Sequence, residues 1–140
     1  MKYNKVVSGE FISRPNRFIA RVKIDDEVHI CHVKNTGRCR ELLVPGATVF
    51  LEESNNPDRK TKYDLIAVYK GDMLINMDSQ APNKVFYEWA KDYFKPDFIK
   101  PESTYKNSRF DCYMEKDGKK IFVEVKGVTL ESEGVASFPD

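Results

Sequence analysis

The sequence predicts an all-β first half, a small antiparallel barrel or curled sheet, followed by a second half in which one helix precedes a β-hairpin. Three observations carry this. Short runs before residue 80 alternate apolar and polar residues with a period of two, the period turns helical at Asn83, and Asp117-Gly118 separates two strand-like runs. The 140 residues, 41% hydrophobic and 32% charged, fit one domain or two small ones and lie far from the composition of disorder.

Residues 5–33 hold three strands: KVVSGEFI, RFIARVKI and EVHICHV. In the second, Phe18, Ala20, Val22 and Ile24 alternate with Arg17, Ile19, Arg21 and Lys23, the pattern of a sheet with one wet face. Asp25-Asp26 makes a tight hairpin turn before the third. NTGRCRELL (35–43) supplies a glycine turn and one short helical turn. The strand ATVFLEE (47–53) follows Pro45-Gly46, SNNPDRKTK (54–62) is a polar loop, and YDLIAVYK (63–70) is the next strand. Gly71-Asp72 turns the chain into MLINM (73–77). About five short strands in such a length fit an oligonucleotide-binding (OB) barrel, although strand count alone does not establish one.

From Asn83, taken as the N-cap, Phe86, Trp89, Ala90 and Tyr93 share one helical face, with Trp89 expected to anchor it to a sheet; Pro96 stops the helix. KPDFIKPEST (95–104) reads as a proline-punctuated connector, and strands 108–115 and 120–126 form the hairpin. The join near residue 80 divides the chain into domains 1–80 and 81–140.

Lys and Arg number 23 against 22 Asp and Glu, which excludes a polybasic tail but not a local basic patch. No apolar run is long enough for a signal-peptide core or a membrane span, so no membrane partner is expected. Cys31, Cys39 and Cys112 form no close pair, which argues for a reduced, cytoplasmic protein and for small core residues. His29, Cys31, His32 and Cys39 suggest zinc, but alternation sends His32 to the face opposite His29 and Cys31, so one tetrahedral site would need a bulge.

The densest chemistry lies between residues 109 and 126. Asp111 sits in the first hairpin strand, while Glu124 and Lys126 interrupt Ile121, Val123 and Val125 on one face of the second, about 6.8 Å apart. Charges in such a strand need a reason. Two carboxylates from adjacent strands, Asp111 and Glu124, suit a hard cation such as Mg²⁺ or Mn²⁺. Such an ion polarises a phosphodiester and lowers the pKa of a bound water, while Lys126 orients the water or offsets developing charge. Glu88 is a further candidate, but lies nearly opposite the apolar helix face and reads as solvent-facing. The bland alternative is a hairpin whose polar face meets water.

Basic residues of the first half cluster locally. Arg14, Arg17, Arg21 and Lys23 lie on or near the second strand, Lys34, Arg38 and Arg40 flank Asn35-Thr36-Gly37, and Arg59, Lys60 and Lys62 share a loop. Arg38 with Thr36 and backbone N–H groups can contact a phosphate, although the arginines can equally pair with Asp25, Glu27 and Glu41. Phe11, Phe18, Phe50 and Tyr69 can stack bases, but core packing explains most of them more cheaply.

FISRPNRFIARV (11–22), HVKNTGRCRELLVPG (32–46), RKT (59–61), APN (81–83), SRFD (108–111), VEVKGVTL (123–130) and SEGVASFPD (132–140) resemble, in sequence and order, the sugar fermentation stimulation protein family. The resemblance covers essentially the whole chain. It implies an OB-like domain followed by part of an α/β restriction-endonuclease-like domain of the PD-(D/E)XK class. It also implies nonspecific binding of duplex DNA and a link to sugar metabolism in bacteria. Carried onto this chain, it makes Asp111, Glu124 and Lys126 the catalytic positions, Asp111 and Glu124 the ligands of Mg²⁺ or Mn²⁺, and Arg38 the basic turn. Arg14, Arg17, Asn35, Thr36, Arg59 and Lys60 complete the expected DNA-binding set. Family members continue past the FPD segment with a further helix and strand, so the chain is expected to be a fragment. The alternative is a non-catalytic DNA-binding regulator with a vestigial nuclease-like domain.

Overall fold

A computed structural model describes residues 1–138. Its contacts form two units: residues 2–79 with the chain from Val128 onward, and residues 80–127 with Met1.

The first unit is a closed barrel. Its strands are β1 (Lys5–Ser13), β2 (Ile19–Ile24), β3 (Glu27–Val33), β4 (Thr48–Glu53) and β5 (Tyr63–Lys70), with β6 (Met73–Asn76) added beside β5. Pairings run β3-β2-β1-β4-β5, and β3 closes on β5 in parallel through His32↔Asp64 and Val33↔Leu65. That Greek-key closure of five strands is the oligonucleotide-binding barrel. β1 makes it possible by changing partners midway: Lys5 to Glu10 pair with β4, and Glu10 to Ser13 pair with β2 around a bulge. Gly9 lies at this bend, where an added Cβ would stand 2.6 Å from Val22 Cγ1 and 3.0 Å from the Lys23 carbonyl. Only glycine lets the two strands approach so closely.

The period of two holds where the barrel wall has one wet face. Ala20, Val22 and Ile24 are buried, while Arg21 and Lys23 are exposed. They join Phe11, Cys31, Val33, Leu42, Val49, Leu51, Leu65 and Val68 in the core. Burial pushes the Cys31 thiol up to about 12, as expected of an inert core cysteine. Phe18 departs from the pattern. It precedes β2 in the turn where Asn16 Oδ1 accepts the Phe18 and Ile19 N–H groups, and it is exposed. Of the four phenyl and phenol rings weighed between base stacking and the core, with the core favoured for most, only Phe11 is deeply buried; Phe50 and Tyr69 stack edge to face, and Tyr69 is exposed.

In the second unit, helix α1 (Ala81–Trp89) leads into a π turn (Ala90–Phe94), then strands β7 (Phe98–Tyr105), β8 (Ser108–Lys116) and β9 (Lys119–Val123). The helix starts before Asn83: Gln80 is the N-cap, and Pro82 falls in the first turn, where its missing N–H costs nothing. The Lys95 N–H bonds the Ala90 carbonyl at 2.9 Å, five residues back, which inserts one extra residue into the turn. That insertion breaks the expected helical face. Tyr93 is 77% exposed, and Phe94 takes the inward place with Phe86 and Ala90, while Trp89, which precedes the insertion, is half exposed rather than an anchor. These pack on Cys112, Met114, Ile99, Ile121 and Val123.

The segment read as a connector is instead β7, an edge strand of the sheet β7-β8-β9. Pro101 sits opposite Cys112 within it, tolerated because an edge strand has one side without a ladder. The last strand also differs: β9 ends at Val123, so Glu124, Val125 and Lys126 lie outside the ladder. In the chain from Val128 onward, β10 (Glu131–Ser132) and β11 (Val135–Ala136) form a small hairpin that belongs to the barrel unit, with Lys70 Nζ 3.4 Å from Glu131. Pro139 and Asp140, the end of the FPD motif, lie outside the described residues.

Candidate nucleic-acid interface and acidic centre

The barrel carries a cleft of about 520 Å³ between the β1–β2 turn and the β3–β4 loop. Arg14, Arg17, Arg38 and Arg40 line it with Thr36 and Asn16, and Ile12, Leu43 and Pro45 form its apolar side. Arg14 builds the cleft. Its Nη1 donates to the Gly37 and Arg38 carbonyls at 2.6 and 2.7 Å, and its Nη2 donates to the Arg17 and Asn35 carbonyls at 2.7 Å each. One guanidinium therefore ties both loops together. Asn35 supports the same loop, its Oδ1 accepting the Gly37 N–H at 2.8 Å and its Nδ2 donating to the Met77 carbonyl at 3.0 Å. Lys34 leans on buried Asp78 at 3.6 Å, and Asp78 also accepts the Tyr3 hydroxyl. With the loop so held, Arg17, Thr36, Arg38 and Arg40 are exposed, and among the described residues no ion pair engages these three arginines. Glu27, offered as a partner by sequence, faces His29 instead.

Arg59 is placed differently from the other basic candidates. Its Nη1 and Nη2 grip both oxygens of buried Asp64 at 3.0 and 2.7 Å, and Nη2 also reaches Thr61 Oγ1 at 3.1 Å. His32 Nδ1 lies 3.1 Å from the same carboxylate. Burial pushes the Asp64 carboxyl up, but the bonds and charge of Arg59, with His32 and Lys34, outweigh it and hold the group below its ordinary value. This cluster lies on the β3–β5 seam, so Arg59 fastens the barrel, while neighbouring Lys60 is exposed. Among the described residues no group of three or more His, Cys, Asp and Glu side chains is placed to hold a metal ion.

In the other unit, β8 and β9 pair Cys112 with Val123, a register that carried one residue further sets Asp111 across from Glu124. Asp111 is fixed at both oxygens: Oδ2 accepts the Val125 N–H at 2.7 Å, and Oδ1 accepts Asn83 Nδ2 at 3.2 Å. The first bond holds the chain just where the ladder stops. Glu124 and Lys126 form an ion pair with both side chains about half exposed. Glu124, by hydrogen bond and charge, and then Asp111, by charge, raise the Lys126 ammonium above its ordinary pKa. The three predicted residues are thus gathered. Glu88 is not among them: it pairs with the N-terminal ammonium of Met1 on the exposed helix face. Asn83 is the neighbour that its reading as a helix cap hid. At Gly127 a Cβ would stand 2.9 Å from Pro82 Cγ, so the run after β9 lies directly against the helix start.

Two family models match the chain: "SfsA N-terminal OB domain" over residues 12–77 and "Sugar fermentation stimulation protein RE domain" over residues 80–140. Sugar fermentation stimulation protein homologs from Desulfitobacterium hafniense and Clostridium beijerinckii are 67% and 62% identical across this whole chain. The chain spans 62% and 63% of their respective lengths. The solved structure of Pyrococcus furiosus SfsA in complex with Ca²⁺ matches all of this chain and 62% of its own, at 26% identity and a TM-score of 0.85. The barrel is therefore an OB domain, followed by part of a second domain, and the chain belongs to the sugar fermentation stimulation protein family.

Proposed function

We propose that the protein binds DNA without sequence preference, through the arginine-lined cleft and the loops around it. The observation that carries this reading is that Arg17, Arg38 and Arg40 converge on one cleft with no ion-pair partner among the described residues, in a chain almost balanced in charge. Guanidinium groups held this way suit phosphate oxygens, which position a strand without reading its bases. Arg14 and Asn35 act by positioning the loop, Thr36 offers a hydroxyl, and exposed Lys60 adds charge. Gel retardation of unrelated duplexes across a salt series tests it. Affinity should fall with salt alike for every sequence, and Arg38→Ala should reduce the salt slope by about one unit. Binding indifferent to salt would refute it.

A second reading is favoured by the pinning of Asp111 between Asn83 and the Val125 amide, beside Glu124 and Lys126. In it, the complete protein hydrolyses phosphodiesters at a centre of the PD-(D/E)XK class. Each Asp111 oxygen carries one hydrogen bond and keeps a lone pair, and Glu124 presents a second carboxylate. That donor set fits Mg²⁺ or Mn²⁺, which take one or two carboxylates and leave other positions to water and phosphate. Asp111 and Glu124 would hold the ion, and Ca²⁺ in the Pyrococcus furiosus protein supports a hard-cation reading. Bound there, the ion would supply Lewis-acid polarisation of the phosphate. Lys126, kept protonated by its carboxylate neighbours, places a positive charge where a phosphate oxygen gains negative charge. Cleavage of end-labelled DNA by the full-length protein with Mg²⁺ or Mn²⁺, lost in Asp111→Ala and Glu124→Ala while retardation persists, is the expected result. Retardation without cleavage would leave the binding reading alone.

A further inference from the structure

Resting on the DNA-binding reading, we propose that the cleft seats a single phosphate-bearing nucleotide unit, the phosphorylated end of a strand, rather than only tracking a duplex backbone. Its shape is the first ground. A volume of about 520 Å³ lies in the range of small-ligand pockets and has room for one nucleotide unit. Its composition is the second. Among the described residues none lining the cleft is acidic, although the chain carries 22 Asp and Glu. Arg17, Arg38 and Arg40 therefore offer charge far beyond what one phosphodiester bearing a single charge requires, and they match a terminal phosphate better.

The third ground is the apolar part of the lining. Ile12 and Pro45 are exposed, with Leu43 buried behind them, and form an apolar side that a bare phosphate does not need. A ribose or base laid there covers that side while the phosphate meets the arginines. The seat is also preorganised. The Arg14 guanidinium fixes both rims through four carbonyls, so binding does not have to order the loops first.

Calorimetric titration of the 140-residue chain at low salt with adenosine 5′-monophosphate, adenosine and inorganic phosphate tests this. The nucleotide should bind at least tenfold tighter than phosphate, and adenosine should not bind measurably. Arg38→Ala and Arg40→Ala should each weaken the nucleotide tenfold or more. Ile12→Asn should bring the nucleotide down to the level of phosphate and leave phosphate unchanged. Circular dichroism shows that each variant is folded, and all three positions are exposed. Equal affinity for phosphate and nucleotide would overturn the proposal in favour of a plain anion seat. A nucleotide titration unaffected by either arginine variant would overturn it as well. DNA retardation measured on the same samples separates the two claims: retardation without nucleotide binding sinks this inference and leaves the DNA-binding reading standing.

Discussion

The barrel and the hairpin unit solve the same problem, presenting charged groups in a fixed place, in opposite ways. In the barrel the exposed arginines do no structural work among the described residues, because Arg14, Asn35 and Asp78 hold the loop for them. In the hairpin unit, Asp111 is at once a candidate ligand and the clamp on the Val125 amide beyond the end of β9. Substitution should therefore separate function from stability in the barrel and couple them in the hairpin unit.

The severest way to break that contrast is at the barrel seam. Asp64→Asn leaves Arg59 without its charge partner and should cost about 3 kcal/mol, somewhat relieved because the arginine is partly exposed. The Asp64 carboxyl titrates below its unfolded value of about 3.9, so its contribution is full above that pH and is lost as pH falls through the folded value. Thermal melts of the wild type should weaken on acidification through this window, and those of the variant should be flatter there. An identical acid limb in both proteins would remove Asp64 from the account.

Arg14→Lys comes next. Lysine keeps the charge and loses the two-pronged geometry that reaches four carbonyls. Stability should fall by about 2 kcal/mol, and DNA retardation should weaken more than in Arg38→Lys. If Arg14 met phosphate directly, Arg14→Lys would keep most of its binding. Amide exchange at Gly37 and Arg38 reports the loosened loop.

Much of the barrel was legible because a wall with one wet face writes its alternation into the chain, as in β2, while β5, buried on both faces along most of its length, showed as a continuous apolar run between polar turns. The placing of Asp111 across from Glu124 was legible too, since hairpin register follows from the Asp117-Gly118 turn, but the strand expected to run on through Lys126 stops at Val123. Other features depended on partners far along the chain. Nothing local marks Arg14 as a carbonyl clamp or Arg59 as a seam bolt, because arginine in a loop looks the same whether it meets solvent or a buried carboxylate 5 residues on. Pro101 masked β7, since a proline shows the missing donor but not that the strand is an edge. The π turn shifted the helix face by one residue, which a fixed helical period cannot register.

In the hairpin unit the coupling itself is the prediction. Gly127→Ala drives a methyl into Pro82 and should cost about 1–2 kcal/mol. Asn83→Ala removes one bond to Asp111 and should cost about 1 kcal/mol. Both should also weaken binding of Mn²⁺, followed by titration calorimetry, and neither should change retardation of DNA by the barrel. Full metal affinity in a destabilised Asn83→Ala would show that the carboxylate does not depend on its clamp.

The finest comparison lies in the two hairpin turns, which have nearly the same backbone but different residues. Asp25 and Asp26 in the barrel have φ of 49° and 65°, while Asp117 and Gly118 have 52° and 74°. Both are left-handed at the two central positions, as two-residue hairpins with the twist of their strands require. Glycine enters that region without the Cβ clash that an aspartate must tolerate, although it loses more freedom on folding. Asp26→Gly should therefore stabilise the barrel by about 0.5 kcal/mol, and Gly118→Asp should destabilise the hairpin unit by a similar amount. Thermal melts of the two variants should move in opposite directions. A shift of the same sign in both would mean that something other than the turn backbone, such as the contact of Lys23 with Asp26 at 3.8 Å, decides the barrel's turn.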